Sequence, residues 1–499
     1  MNTALYTPQR AAQWLRERVT GSLCTDSRQV RAGDGFIAWP GAAADGRTHV
    51  VQALAAGAAA CLVERSGVKD FCFDSPLVAD YAELKAATGS IAADYFDHPS
   101  LGLQCVAVTG TNGKTSTTWW LAQALSRVGL RCAAIGTLGI GEPGAPGGMV
   151  DTGLTTPDPV LLQKELRQLV ASGFAACAVE ASSIGIREHR MDSVALSVAV
   201  FTNFTQDHLD YHGSMAAYWA AKAALFDWPT LHAAVINLDD AKGKELAASA
   251  AQRKLDIWTV SCCLPARVRA ENIRDTAQGV SFDITEGEQR FGLQTAMVGR
   301  FNVANLLGVV ASMRAMGVPL RAAVNACTAL LPVPGRMEVL SAAGMPLVVV
   351  DYAHTPDALD KALDALKPLA TARGGAVWCV FGCGGDRDAS KRALMAQAAE
   401  RCAQHLIVTS DNPRSEDPLA IIQQIVQGLR RPACAAVEPD RALAIARAVS
   451  QAHANDVVLV AGKGHEQYQE VGPTRFVFSD RLQAERALTA RRLALESRT

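Results

Sequence analysis

The sequence predicts an α/β protein of three domains. These are a small N-terminal α/β domain over residues 1–92, a central P-loop ATPase-like parallel-sheet domain over 93–334, and a C-terminal Rossmann-like domain over 335–499. Three observations carry this prediction. A chain of 499 residues suggests about three domains by ordinary domain size. Hydrophobic residues make up 49% of it, enough for several cores, and the aliphatic and alanine content points to α/β layers. Apolar strand-like runs that end in polar or glycine-bearing loops and pass into helical patterns recur through the central and C-terminal thirds.

The first domain carries Thr25-Asp26-Ser27-Arg28, a Gly33-Asp34-Gly35 turn feeding an apolar strand that ends at Trp39, Asp45-Gly46, an alanine-rich helix and a strand near 59–63. An alanine run occupies 42–44. By residue chemistry alone the Asp-Ser-Arg triplet is a polar turn before a strand.

The central domain is organised around Val108-Thr109-Gly110-Thr111-Asn112-Gly113-Lys114-Thr115-Ser116. An apolar run (103–108) stops at this loop and a helical pattern follows it, which is the context a phosphate-binding loop requires. Loop N–H groups would cradle phosphate oxygens, Lys114 would reach the terminal phosphates, and Thr115 would sit on Mg²⁺. The usual P-loop begins with a glycine five residues before Gly113, and Val108 stands there instead. A second strand is expected over 131–139, then a Gly/Pro-rich loop (141–148), Thr155-Thr156-Pro157-Asp158 capping a helix over 160–172, and a buried strand over 175–180 that ends on Glu180. Strands over 194–201, 233–237 and 257–260 follow, the first delivering Asn203 and Asp207-His208-Leu209-Asp210. Polar residues after apolar strands lie where α/β sheets bind ligands. Lys222 is one cation on an apolar helix, and by chemistry alone it reads as a snorkelling side chain. Gly299-Arg300-Phe301-Asn302 opens a helix to about 316, and Pro332, Pro334 and Gly335 punctuate the passage to the third domain.

The third domain repeats strand, polar loop, helix, with strands at 346–350, 376–381, 405–409, 433–437 and 457–460. The loops carry Asp351-Tyr352-Ala353-His354, Gly382-Cys383-Gly384-Gly385-Asp386-Arg387, Asp411-Asn412-Pro413-Arg414 and Gly462-Lys463-Gly464-His465-Glu466. The G-x-G-G spacing is not a dinucleotide fingerprint, so a nicotinamide role is not expected.

Taken in this order, the motifs resemble the Mur ligase family over nearly the whole chain. Thr109-Gly110-Thr111-Asn112-Gly113-Lys114-Thr115 matches its ATP loop, which folylpolyglutamate synthetases share. Asp411-Asn412-Pro413-Arg414 matches the loop of its diaminopimelate-adding branch. Diaminopimelate carries one more carboxylate than lysine, and a guanidinium fork suits a carboxylate bidentately. The resemblance implies an ATP-dependent ligase that adds meso-2,6-diaminopimelate to UDP-N-acetylmuramoyl-L-alanyl-D-glutamate through an acyl phosphate, in cytoplasmic peptidoglycan precursor synthesis. It implies ATP and Mg²⁺, with Lys114, Glu180, His208 and Lys222 as the catalytic set. Thr115, Glu180, His208 and Lys222 (as a carbamate) would ligate metal. Gly110, Thr111, Asn112, Gly113, Lys114, Thr115, Ser116, Asn302, Arg336, Asp351 and His354 would surround the nucleotide. Ser27, Thr155, Thr156, Ser182 and Arg190 would hold the UDP-muramoyl-dipeptide, and Arg387, Asp411, Asn412, Pro413, Arg414, Gly462 and Glu466 the diaminopimelate. Where the family often has Ser-Ser-His-Gly, this chain has Ser182-Ser183-Ile184-Gly185.

Composition excludes other classes. Lys+Arg 48 against Asp+Glu 49 argues against a nucleic-acid-coating protein. No run approaches 18 apolar residues and the start lacks a signal-like pattern, so neither a membrane span nor a leader is expected. The 13 scattered cysteines lack zinc-site spacing and read as reduced thiols of a cytoplasmic enzyme, expected to be a monomer. The rivals are a lysine-adding ligase or a folylpolyglutamate synthetase-like ligase on the same scaffold and, more distantly, a non-catalytic ATP-binding switch.

Overall fold

The computed structural model describes residues 3–41, 44–145, 147–276 and 279–497. Residues 42 and 43 of the alanine run lie outside the described residues. Three main sheets divide the chain. The first is parallel, with strands Thr3–Leu5, Val78–Tyr81, Ala60–Glu64, Gly35–Ala38 and Leu23–Cys24 side by side. Helices Pro8–Arg16 and Leu84–Tyr95 cover one face, burying Trp14, Leu15 and Ile91. The Asp-Ser-Arg triplet is a self-closed turn. Asp26 accepts from the Arg28 backbone N–H at 3.0 Å and pairs with the Arg28 guanidinium at 2.7 Å. Asp45 and Arg47 repeat the device, with a pair at 2.7 Å.

The central sheet has eleven strands, with Gln104–Thr109 between Leu196–Phe201 and Ala176–Glu180. It is parallel from Val268–Thr276 across to Cys132–Gly136 and antiparallel at both margins. Parallel strands covered on both faces need near-continuous apolar runs, and Val106, Ala107, Val108, Ala178, Val179, Ala199 and Val200 are all buried. Helices Lys114–Arg127 and Arg300–Ala315 pack on one face, and Pro159–Ala171 with Ala241–Ala250 on the other. The single strand expected over 131–139 is instead Cys132–Gly136 turning back into Gly139–Gly141. Gly139 makes that turn at φ 102°, where a side chain would strike the Val150 carbonyl. The antiparallel strands Val268–Thr276, Gly279–Glu286 and Gln289–Thr295 were not expected from sequence, because one face is solvated and their charges mask the alternation.

The third sheet runs Glu338–Leu340, Leu347–Asp351, Val457–Ala461, Val377–Phe381, His405–Val408 and Ala435–Val437, parallel except for the first. Its loops at 351–355, 382–388, 409–414 and 461–466 share one edge. Arg441 and Asp480, both wholly buried, pair at 2.7 Å, and Arg441 also donates to the Ser410 and Ala461 carbonyls. That pair anchors the roots of two of the loops. A separate hairpin, Tyr468–Val471 with Thr474–Val477, follows the last loop. All thirteen cysteines are free. Among the described residues no helix is long and apolar enough to cross a membrane.

Candidate active site

Three adjacent strands of the central sheet end at one place. Gln104–Thr109 delivers the phosphate loop, Ala176–Glu180 delivers Glu180, and Leu196–Phe201 delivers Thr202, Asn203 and the segment to His208. Val108, the departure from the usual P-loop, lies inside its strand in register with Glu180 and Val200, so the loop here is the short turn from 109 to 113. A Cβ on Gly110 would sit 1.9 Å from Thr202 Oγ1, and one on Gly113 2.4 Å from Asn305 Oδ1. Both positions therefore admit only glycine. Asn203 closes the loop from outside, accepting from the Asn112 N–H at 2.9 Å.

Lys114 folds over its own loop and donates to the Gly110 and Thr111 carbonyls, each at 2.9 Å. Burial pulls its pKa down, and Glu180 and Asp207 oppose that pull. Glu180 is 1% exposed and accepts from Thr115 Oγ1 at 3.0 Å, Thr137 N at 2.8 Å and Thr137 Oγ1 at 3.1 Å. Burial raises its pKa against the pull of Lys114. Thr137 reaches on to Thr155 at 3.0 Å, extending the hydroxyl chain. Ser182 bonds Thr156 at 2.9 Å, and Arg190 donates to the Thr156 carbonyl at 3.1 Å. Thr155 and Ser182 line the cavity, whereas Thr156 and Arg190 stand behind it as supports. Ser27 lies on the N-terminal domain and is not brought to the cavity wall.

His208 adopts left-handed φ 51° and faces Asp207 at 3.5 Å, and burial lowers its pKa. Lys222 does not snorkel. It is 1% exposed, its Nζ donates to the Gly110 carbonyl at 2.7 Å, and it lies 4.5 Å from the Tyr218 ring centre. Burial drives its pKa well down, and Lys114 pushes the same way. The structure brings no hydrogen bond between Lys222 and either Glu180 or His208. Asn302 lines the far end of the cavity with Arg300, Asp239 and Asp240.

The third domain forms the opposite wall. Arg336 donates to Thr115 Oγ1 at 3.3 Å and stacks 4.2 Å from the Tyr352 ring centre, leaving Nη1 buried with no partner among the described residues. Asp351 accepts from the Met337 and Ala353 N–H groups at 2.7 and 2.8 Å. His354 Nδ1 meets the Tyr352 carbonyl at 2.8 Å, and burial holds its pKa down at about 4. Asn112 and Thr205 both reach Asp357, at 3.1 and 3.3 Å, tying the phosphate loop to the third domain.

These walls enclose a cavity of about 500 Å³ containing the phosphate loop. A second, of about 400 Å³, is lined by Arg387, Asp411, Asn412, Arg414, Gly462 and Glu466; Pro413 does not reach it. Asp207, His208, Tyr352 and His354 line both, so the two cavities meet across the domain boundary. Asn412 is held from both ends, donating to Glu466 at 2.9 Å and accepting from Lys463 at 2.8 Å. Sequence reasoning missed Asp207, Tyr352, Lys463 and Thr137 as site residues. The first three stood inside quoted loops beside residues it chose. Thr137 carried no signal, since its role comes from an unforeseen turn.

Comparison with known proteins follows the same divisions. Residues 21–93 match "Mur ligase family, catalytic domain", 108–313 match "Mur ligase middle domain", and 335–464 match "Mur ligase, glutamate ligase domain". A protein of Acidovorax sp. (strain JS42) named UDP-N-acetylmuramoyl-L-alanyl-D-glutamate–2,6-diaminopimelate ligase is 57% identical, covering 98% of each chain. One of the same name from Janthinobacterium sp. (strain Marseille) is 47% identical over 94% of each. A solved structure of that name superposes with TM-score 0.66 at 35% identity, covering 94% of this chain and 95% of the other. MurF ligase from Thermotoga maritima, solved with ADP, shares the fold at TM-score 0.64 and 18% identity, over 97% and 99% of the two chains.

Proposed function

This chain belongs to the Mur ligase family, and we propose that it joins meso-2,6-diaminopimelate to UDP-N-acetylmuramoyl-L-alanyl-D-glutamate at the expense of ATP, as a cytoplasmic monomer in peptidoglycan precursor synthesis. The observation that carries the reading is the meeting of two cavities, one built on a phosphate loop and one on an Arg/Asn/Glu-lined loop cluster.

The chemistry follows from that meeting. ATP lies over the phosphate loop, its charge gathered by loop N–H groups, Lys114 and Arg336. The substrate carboxylate attacks the γ-phosphorus, ADP leaves, and an acyl phosphate forms. The amino group of diaminopimelate, presented from the second cavity, then attacks the acyl carbon, and phosphate departs. Cations fixed before the reaction stabilise the charge that develops in both steps without having to reorganise. Thr155 and Ser182 orient the dipeptide end, while Arg190 and Thr156 brace them. Arg387, Asn412, Arg414 and Glu466 surround the amino acid.

Glu180 tests whether Mg²⁺ fits. It is a buried carboxylate whose hydrogen bonds come from hydroxyls and an amide, with no ion pair among the described residues. Such an oxygen pair suits a hard cation. Glu180, Thr115, His208 and Lys222, the last as a carbamate, would hold it. Bound Mg²⁺ would supply neutralising charge to the phosphates.

Phosphate release with the UDP-muramoyl-dipeptide and ATP, comparing meso-diaminopimelate with L-lysine, tests the function. Preferential turnover with diaminopimelate is expected. Equal use of lysine, or turnover with neither, would remove the assignment.

A further inference from the structure

Arg414 is not an isolated fork waiting in the second cavity. The hairpin Tyr468–Val471/Thr474–Val477 is stapled to its loop by backbone bonds, Arg414 N–H to the Glu470 carbonyl at 3.0 Å and Gly472 N–H to the Arg414 carbonyl at 2.7 Å. The same hairpin reaches the preceding residues. Gln469 Nε2 donates to the Asp411 carbonyl at 2.7 Å, and Glu470 N–H donates to Asn412 Oδ1 at 3.0 Å. The staple holds Arg414 at φ 50°, a left-handed conformation that costs a non-glycine residue of order 1 kcal/mol. A backbone so constrained sends its side chain in one direction.

The side chain is then fixed a second time. Arg414 Nε donates to Glu470 Oε2 at 3.2 Å, and Nη1 donates to the Gly385 carbonyl at 2.8 Å. Glu470 is itself steadied by Arg475, 3.5 Å from its other oxygen. A guanidinium has five N–H donors, and these bonds occupy Nε and Nη1. Nη2 has no partner among the described residues, on a side chain that lines the cavity with Arg387, Asn412 and Glu466. The free end of the fork is the end a carboxylate can take.

We infer that Glu470, which does not line the cavity, is the positioning residue that aims Arg414 at the distal carboxylate of the incoming amino acid. This rests on the diaminopimelate reading and adds how that recognition is set up. The opposite role is also chemically definite. A carboxylate so close could compete with the substrate for the same guanidinium, and its removal would then improve binding. Glu470 engages Nε alone, at 3.2 Å, and makes no bond to Nη2, so orientation outweighs competition. Holding a flexible side chain in its bound geometry before binding lowers the cost of binding.

Steady-state kinetics decide the matter, varying each of the three substrates in turn for wild type, Glu470→Gln and Glu470→Ala. Both variants keep the backbone staple. Glu470→Ala should raise KM for meso-diaminopimelate about tenfold, and Glu470→Gln, which keeps an acceptor but loses the charge, about threefold. kcat and the KM values for ATP and the UDP-muramoyl-dipeptide should stay within about twofold. A general loosening of the domain would move all of these together and overturn the proposal. So would an unchanged or lowered KM for diaminopimelate in Glu470→Gln, the variant that decides if Glu470→Ala proves unstable. Wild type inactive with meso-diaminopimelate would instead sink the functional reading itself.

Discussion

Gly335 marks the join between the central and C-terminal domains and packs backbone to backbone on the loop that carries Lys463 and Glu466. It sits at φ 64°, and a Cβ there would lie 2.0 Å from the His465 nitrogen and 2.3 Å from the Gly464 carbonyl carbon. Neither atom belongs to a side chain that can rotate away. Relief requires the join and the loop to separate by roughly 1 Å or more, since ordinary carbon contacts begin near 3.5 Å. Arg336 is the next residue, and its guanidinium bridges Thr115 and the Tyr352 ring. The displacement therefore reaches the boundary where the two cavities meet. A misplacement of about 1 Å at reacting groups costs on the order of 10²-fold. Gly335→Ala should lower kcat/KM for amide formation by about that factor while the protein stays folded. Gly344→Ala is the internal control. Gly344 has φ 72° and nothing within 4 Å of its Cβ position, so it carries the backbone penalty without the collision. Phosphate release should be near normal in Gly344→Ala and about 10²-fold down in Gly335→Ala. Activity of Gly335→Ala within about threefold of the control would refute the view that this contact sets the domain arrangement used in chemistry.

Lys222→Ala should be nearly inactive and partly restored by added formate or acetate. Full activity in the variant would exclude a carbamate role. Arg414→Ala should lower kcat/KM for meso-diaminopimelate by roughly 10²-fold while barely moving the ATP and UDP-muramoyl-dipeptide parameters, because a site built for a carboxylate loses its partner. Unaltered preference between diaminopimelate and lysine would refute that reading. His354 predicts a pH dependence of stability. Its pKa falls from 6.5 to about 4 on folding, so the unfolded chain binds more protons between those values. The neutral histidine stabilises the fold fully above pH 6.5, and its contribution declines as pH falls toward 4, by about 3 kcal/mol in total. His465, pushed down to about 3 by burial, works in the same direction. Melting curves at pH 7 and 5 should show a smaller acid loss in His354→Asn than in wild type, and an equal loss would remove His354 from the account.

The parts of the site that were legible in the sequence are those where one residue type answers one local demand. Gly110, Gly113 and Lys114 stand where a strand meets a helix, and that demand can be read from a dozen residues. Glu180 ends an apolar run, so its place at the sheet edge could be read, although its acceptance of three bonds from Thr115 and Thr137 could not. Thr137 acts through a hairpin that the apolar pattern concealed, because Gly136-Thr137-Leu138-Gly139 looks like the tail of one strand. The three antiparallel strands at the sheet margin escaped for the complementary reason: half of each faces water, and charge interrupts the period. Lys222 shows where local chemistry points the wrong way. A lysine on an apolar helix ordinarily extends to solvent, but here the phosphate loop closes over it and supplies the Gly110 carbonyl as its acceptor. That acceptor is 112 residues away in sequence. No window on the helix contains it, so only the resemblance of the whole chain to its family could single the lysine out. Glu470 is the same case carried further. It touches Arg414 across 56 residues through a hairpin whose exposed Phe476 and Val477 give no hint of a buried purpose. Residues that recognise ligands directly leave motifs, because their loops must also turn. Residues that aim them leave none, since any strand of suitable register can present a carboxylate.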